Sequence, residues 1–170
     1  GDNDSDGYSN KLFDDKDLLT YGNTIVMDEF DKSSGFDAKL TAETIRVIVL
    51  WMSATTELYS ASQKCRDGSV NTDDFNPVDF AAAFWFGNSQ DPNLFTGESL
   101  YAWAKRSEQD FNGQQFVVDD ITTMLKELQA SYEACKGLAE DQQAAKGLEM
   151  KHKADNISRV MTVPIVQRFI

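Results

Sequence analysis

The chain opens Gly1-Asp2-Asn3-Asp4-Ser5-Asp6-Gly7, which sets carboxylates at positions 1, 3 and 5 of a calcium loop and a glycine at position 6. Alternating acidic residues aim oxygen ligands at one centre, and the glycine permits the sharp turn that wraps them round a hard cation. In this register Tyr8 supplies a backbone carbonyl at position 7 and Asn10 occupies position 9. Position 12, where a bidentate Glu would close the shell, is Phe13, with Asp14 and Asp15 one or two residues late. Two readings stand side by side. One is a calcium site built on Asp2, Asp4, Asp6, Tyr8 and Asn10 and completed by a later carboxylate or a neighbouring copy; the other is a solvated acidic linker.

Cys65 and Cys135 are the two cysteines, and each falls in the last turn of an expected helix. In an extracellular acidic domain they read as one disulfide closing a loop of about 70 residues, contributing about 3–4 kcal/mol on the chain-entropy model. Two independent buried thiols are the alternative. If they pair, the helices joined through their C-terminal ends run roughly parallel, and the segment between them contains a crossover.

Two cysteines and one histidine fall short of the four soft ligands of a structural zinc site. His152 stands between Lys151 and Lys153 on a polar stretch, the setting of an exposed side chain rather than of a general base. Gly97-Glu98-Ser99-Leu100 lacks the second glycine of a nucleophile elbow, and no glycine loop of the phosphate-cradling type is present. No residue is assigned to catalysis, and the expectation is a protein that is not an enzyme. Asn3-Asp4-Ser5 and Asn156-Ile157-Ser158 are glycan acceptor sequences in a secreted eukaryotic chain. At Asn156 a glycan requires that the polar face of the last helix be exposed.

Composition narrows the partners. Twenty-eight acidic against 16 basic side chains give a formal net charge of −12, a field that repels nucleic-acid phosphates and anionic lipid surfaces. At 170 residues and 41% hydrophobic, with 11% aromatic residues, the chain can bury one real core. Apolar runs such as Val47 to Met52 are far shorter than the roughly 20 residues that cross a bilayer. The chain begins without Met, as a mature form or an excised portion would, and its apolar Arg168-Phe169-Ile170 end favours a portion of something longer.

These residues need elements to position them, and the periodicity is helical throughout. Leu18, Gly22, Ile25, Val26 and Phe30 mark a first helix that Ser33-Ser34-Gly35 ends. The next, at about 41–66, has Thr41 as cap, Ile45, Ile48, Val49, Met52 and Tyr59 as its face, and Gly68 as its stop. Asn76-Pro77-Val78-Asp79 has the order of a helix start, and the apolar run Phe80 to Phe86 before Gly87 suits a short helix buried on more than one side. Thr96 or Gly97 opens a further helix through Leu100, Trp103, Ala104, Ser107 and Phe111, which Asn112-Gly113 ends. Val117, Ile121, Met124, Leu125, Leu128, Tyr132 and Cys135 then form the clearest amphipathic stripe. A last helical region, about 139–170, turns apolar at Ile157, Val160, Met161, Ile165 and Phe169, and Pro164 should kink or divide it. The expected architecture is all-α: an acidic segment over 1–13, then one helical-bundle domain over 14–170 with about six helices and one crossover.

Asp79-Phe80-Ala81-Ala82-Ala83-Phe84-Trp85-Phe86-Gly87, followed after a loop by Gly97-Glu98-Ser99-Leu100-Tyr101-Ala102-Trp103-Ala104, resembles the algal iron-assimilation family of secreted proteins, also known as low-iron-inducible or high-carbon-dioxide-inducible proteins. Met161-Thr162-Val163-Pro164-Ile165-Val166-Gln167 is similar to the proline-containing end of that family's repeat, and Cys135 falls where the family has a cysteine. The resemblance covers about a third of the chain. It implies a periplasmic or extracellular location, an all-helical unit that can occur in tandem, and a part in iron uptake. It transfers no ligand; Tyr101 reads as a core tyrosine rather than an iron ligand. The sequence therefore leads to a noncatalytic extracellular or cell-surface module whose partners are other copies or domains of the same protein, with calcium at its N-terminal segment. An iron-binding protein of an uptake system is the alternative.

Overall fold

The fold is seen in a computed structural model that describes residues 38–70, 75–87, 99–110 and 116–168. Five helices and no strand occur among the described residues: α1 Ala38–Arg66, α2 Pro77–Phe86, α3 Leu100–Asp110, α4 Phe116–Ala134 and α5 Glu140–Arg168. The all-α expectation holds, and the helix expected around Leu18 to Phe30 lies outside the described residues. The chain divides into two compact units, Gly1–Val49 and Leu50–Ile170, and the division falls within α1. In the first unit the described residues are the opening turns of α1, with Thr41, Thr44 and Val47 buried and Ile45 and Val49 exposed.

In the second unit, α1, α3 and α4 each meet α5. Trp51 and Thr55 of α1 reach Ser158, Tyr59 reaches Asp155, and the Arg66 backbone meets Gly147. Residue numbers rise along α1 as they fall along α5, so the two helices are antiparallel. Met124 of α4 meets Asn156, Ser131 meets Lys153 and Cys135 meets Met150, which makes α4 antiparallel to α5 as well. It follows that α1 and α4 run parallel, and residues 67–115 make the crossover between them. α2 and α3 lie on that crossover, packing on each other and on α4, with α3 also against α5.

Local chemistry accounts for several boundaries. Asn76 Oδ1 accepts from the Val78 amide at 2.9 Å, with Pro77 at the first helical position and Asp79 in the first turn. α1 closes on Gly68 at φ 65°: the Ser69 amide bonds Lys64 O and the Gly68 amide bonds Cys65 O, the paired pattern that a left-handed residue permits. Ile121, Leu125, Leu128, Tyr132 and Cys135 are buried as the amphipathic stripe requires.

Five expectations are corrected. α1 runs from Ala38, so Thr41 lies inside it rather than capping it. Its buried stripe is Val47, Trp51, Ala54, Leu58, Ala61 and Cys65; Ile48, Met52 and Tyr59 are half-buried and Ile45 and Val49 exposed. α2 buries Pro77, Val78, Ala81 and Trp85 but leaves Phe80 exposed, so it packs on one face and not all round. α3 opens at Leu100, where Ser99 Oγ accepts from the Ala102 amide at 3.1 Å, rather than at Thr96 or Gly97. Pro164 does not divide the last helix, which is continuous to Arg168. The proline stands four residues from the helix end, is itself buried, and its carbonyl accepts from Ser107 Oγ at 3.2 Å.

Candidate functional site

The most completely built feature of the second unit is its stapled end. Cys65, in the last turn of α1, is bonded to Cys135, just past the end of α4, with Cα atoms 5.6 Å apart across a sequence separation of 70. Both sulfurs are buried. The first turns of α5 pack against both helix ends. Gln143 O is 4.0 Å from Cys65 Sγ, Met150 Sδ is 3.5 Å from Cys135 Sγ, and Gly147 sits against the Arg66 backbone. A Cβ at Gly147 would lie 2.7 Å from Arg66 Cβ and 2.9 Å from its Cα and N, so this close crossing requires glycine. The surrounding charges pair locally. Lys136 pairs with Glu133, and Lys146 and Lys153 both reach Glu149 at 2.8 and 3.2 Å. The Lys146 hydrogen bond above all holds the Glu149 carboxyl below its usual value; burial opposes it, and Lys153 adds to the lowering.

A polar seam continues along α1 and α5. Trp51 Nε1 donates to Ser158 O at 3.5 Å, Ser158 Oγ is 3.3 Å from Thr55 Oγ1, and Tyr59 Oη donates to Asp155 Oδ1 at 2.6 Å. These bonds satisfy groups that the packing has desolvated, so the seam fixes how α1 lies on α5.

A second polar centre ties α3 to α4. Glu108 is 7% exposed; its Oε1 accepts from the Val118 amide at 3.2 Å, and its Oε2 meets Lys105 Nζ, on a side chain 11% exposed, at 3.2 Å. Glu108 thus caps the start of α4 from another helix, and Lys105 compensates the buried charge. The Lys105 ammonium also stands 6.0 Å over the Tyr101 ring, which packs on Phe86 at 5.5 Å. Tyr101 is buried in this cluster, the placement of a core residue.

The calcium candidates Asp2, Asp4, Asp6, Tyr8 and Asn10, and the acceptor Asn3, lie outside the described residues. Cys65 and Cys135 are brought together, and His152 is exposed. Asn156 is half-buried in the middle of α5: its Nδ2 lies 3.9 Å from Met124 Sδ and its Oδ1 accepts from Arg159 at 2.7 Å, while Ile157 and Ser158 are buried. Among the described residues no group of three or more His, Cys, Asp or Glu is placed to hold a metal ion, and no helix is long and apolar enough to cross a membrane.

Glu108 has no sequence signal strong enough to find it, because it acts across ten residues and one helix boundary. Phe75, just before the Asn76 cap, pairs at 5.5 Å with Phe80 four residues into α2, the hydrophobic-staple contact that local spacing does announce, although Phe75 stays 80% exposed. No protein-family model, curated protein or solved structure matches the chain.

Proposed function

We propose that the chain is a noncatalytic extracellular module that works by binding or assembly, as one unit of a tandem or polymeric surface protein or as an adhesion-type domain. The observation that carries this reading is the buried Cys65–Cys135 bond, because structural disulfides persist in oxidising compartments and are rare in the cytosol. The net charge of −12 adds support by disfavouring nucleic acid and anionic lipid as partners. The exposed Phe75–Phe80 pair supplies apolar surface of the kind that contacts use. Calcium at Asp2, Asp4 and Asp6 belongs to the same reading, as an ion that orders the junction between successive units.

Elemental analysis of the purified chain, combined with sedimentation with and without calcium, tests the proposal. The expected result is association that increases with calcium, in protein without stoichiometric iron. Stoichiometric iron would replace the module reading with the iron-capturing role that the family resemblance implies.

A further inference from the structure

The first turns of α5 are held by little besides the staple. From Glu140 to Glu149 the fold buries Gly147 and half-buries Gln143 and Lys146, and it leaves the other seven residues exposed. From Met150 to Pro164 it buries Met150, Ala154, Ile157, Ser158, Met161 and Pro164. The start of the helix has Ala139 where a capping side chain would stand; Glu140 and Asp141 favour the helix end by charge, and Gln143 Nε2 donates back to Leu138 O at 2.9 Å. An isolated helix of this length is marginal in water, and the segment owes its order to what it touches.

What it touches is the staple and its flanks: Cys65 Sγ at Gln143 O, the Gln143 side chain against Gly68, the Arg66 backbone at Gly147, and Cys135 Sγ at Met150 Sδ. The Cys65–Cys135 bond keeps the ends of α1 and α4 at the spacing that makes these contacts. Further along, α5 has anchors that do not involve the sulfurs, namely the seam to Trp51, Thr55 and Tyr59 and the bond from Lys153 to Ser131.

We propose that the disulfide is a redox-sensitive catch on residues 140–149: cleaving it frees the first turns of α5 while the rest of the second unit stays folded. The reductant is a dithiol. Both cysteine sulfurs being buried, its thiolate gains access as the exposed first turns of α5 lift. It attacks one cysteine sulfur and expels the other cysteine as thiolate; its second thiolate then attacks its own sulfur in the mixed disulfide and expels the first cysteine. The dithiol ends as its own cyclic disulfide, two electrons pass to the protein, and its two protons end on Cys65 and Cys135. This inference concerns α5 alone and is independent of where the protein resides.

Amide hydrogen exchange on the full chain tests it, comparing oxidised protein, protein reduced with dithiothreitol, and the double variant Cys65→Ala/Cys135→Ala. Protection of the amides from Gln143 to Glu149 should fall at least about tenfold in the reduced and variant forms, while that from Ile157 to Val163 changes less than about threefold. Loss of protection throughout the helices of the second unit, or a double variant that does not fold, would overturn the proposal by making the bond a global requirement. Unchanged protection from Gln143 to Glu149 would overturn it by showing that these turns hold themselves.

Discussion

Replacing Gly147 with alanine sets two effects of opposite sign against each other. Alanine is preferred to glycine inside a helix by about 0.8–1 kcal/mol, which by itself would stabilise α5. The added methyl would stand 2.7 Å from Arg66 Cβ and 2.9 Å from Arg66 Cα and N. Non-bonded carbons settle at about 3.5–4.0 Å, so α5 and the end of α1 would have to part by roughly 1 Å. Arg66 cannot yield alone, because Cys65 beside it is bonded to Cys135 and the chain just beyond is fixed by the Gly68 closure. Overpacking of this kind costs about 1–3 kcal/mol, and a backbone obstacle places it in the upper half of that range. The packing effect therefore wins, and Gly147→Ala should destabilise the protein by about 1–2 kcal/mol, lowering Tm by about 2–8 °C for a chain of this size. Ala145→Gly, at an exposed position two residues earlier in α5, isolates the propensity effect and should cost about 1 kcal/mol. Urea unfolding followed by far-ultraviolet circular dichroism under oxidising conditions separates the outcomes, since a shift in midpoint at constant slope reads stability directly. A Gly147→Ala protein more stable than the parent by about 1 kcal/mol would refute the close crossing of α1 and α5.

Glu108→Ala should cost about 2–4 kcal/mol in the same assay, since it leaves the Val118 amide uncapped and the mostly buried Lys105 ammonium unpaired; Glu108→Gln, which keeps an acceptor for Val118, should cost less. Asp2, Asp4 and Asp6 changed together to Asn should abolish calcium binding that calorimetry detects in the parent near the millimolar extracellular range, and equal binding by both proteins would eliminate that site. Intact mass of folded protein from a eukaryotic secretory host should show Asn156 unmodified, because a glycan on Nδ2 would displace Met124 from the contact between α4 and α5. A folded, disulfide-bonded product carrying a glycan at Asn156 would contradict this.

Much of the fold is legible where one local rule acts alone. Asn76, Pro77 and Asp79 announce the start of α2, and the stripe from Ile121 to Cys135 reads directly as the buried face of α4. α1 is harder because Val47 to Met52 is apolar on every side, so periodicity does not choose a face. Counting back from Cys65 by steps of three and four gives Ala61, Leu58, Ala54, Trp51 and Val47, which is the observed stripe. The cysteine was the phase marker, since a residue bonded to a distant helix must face inward. Glu108 shows the opposite case. Its role depends on α3 ending beside the start of α4, a tertiary fact that no spacing within either helix contains. Gly147 is similar: in sequence it is a weak point of a polar helix, and only the approach of Arg66 gives it a purpose.

The most direct test of the whole account is non-reducing peptide mapping of the protein recovered, with thiols blocked at lysis, from the cells that make it and from their medium. The account predicts that the protein is in the medium or on the cell surface and yields one linked pair of peptides containing Cys65 and Cys135. Recovery from the cytosol with both cysteines as free thiols would contradict both the staple and the extracellular function drawn from it.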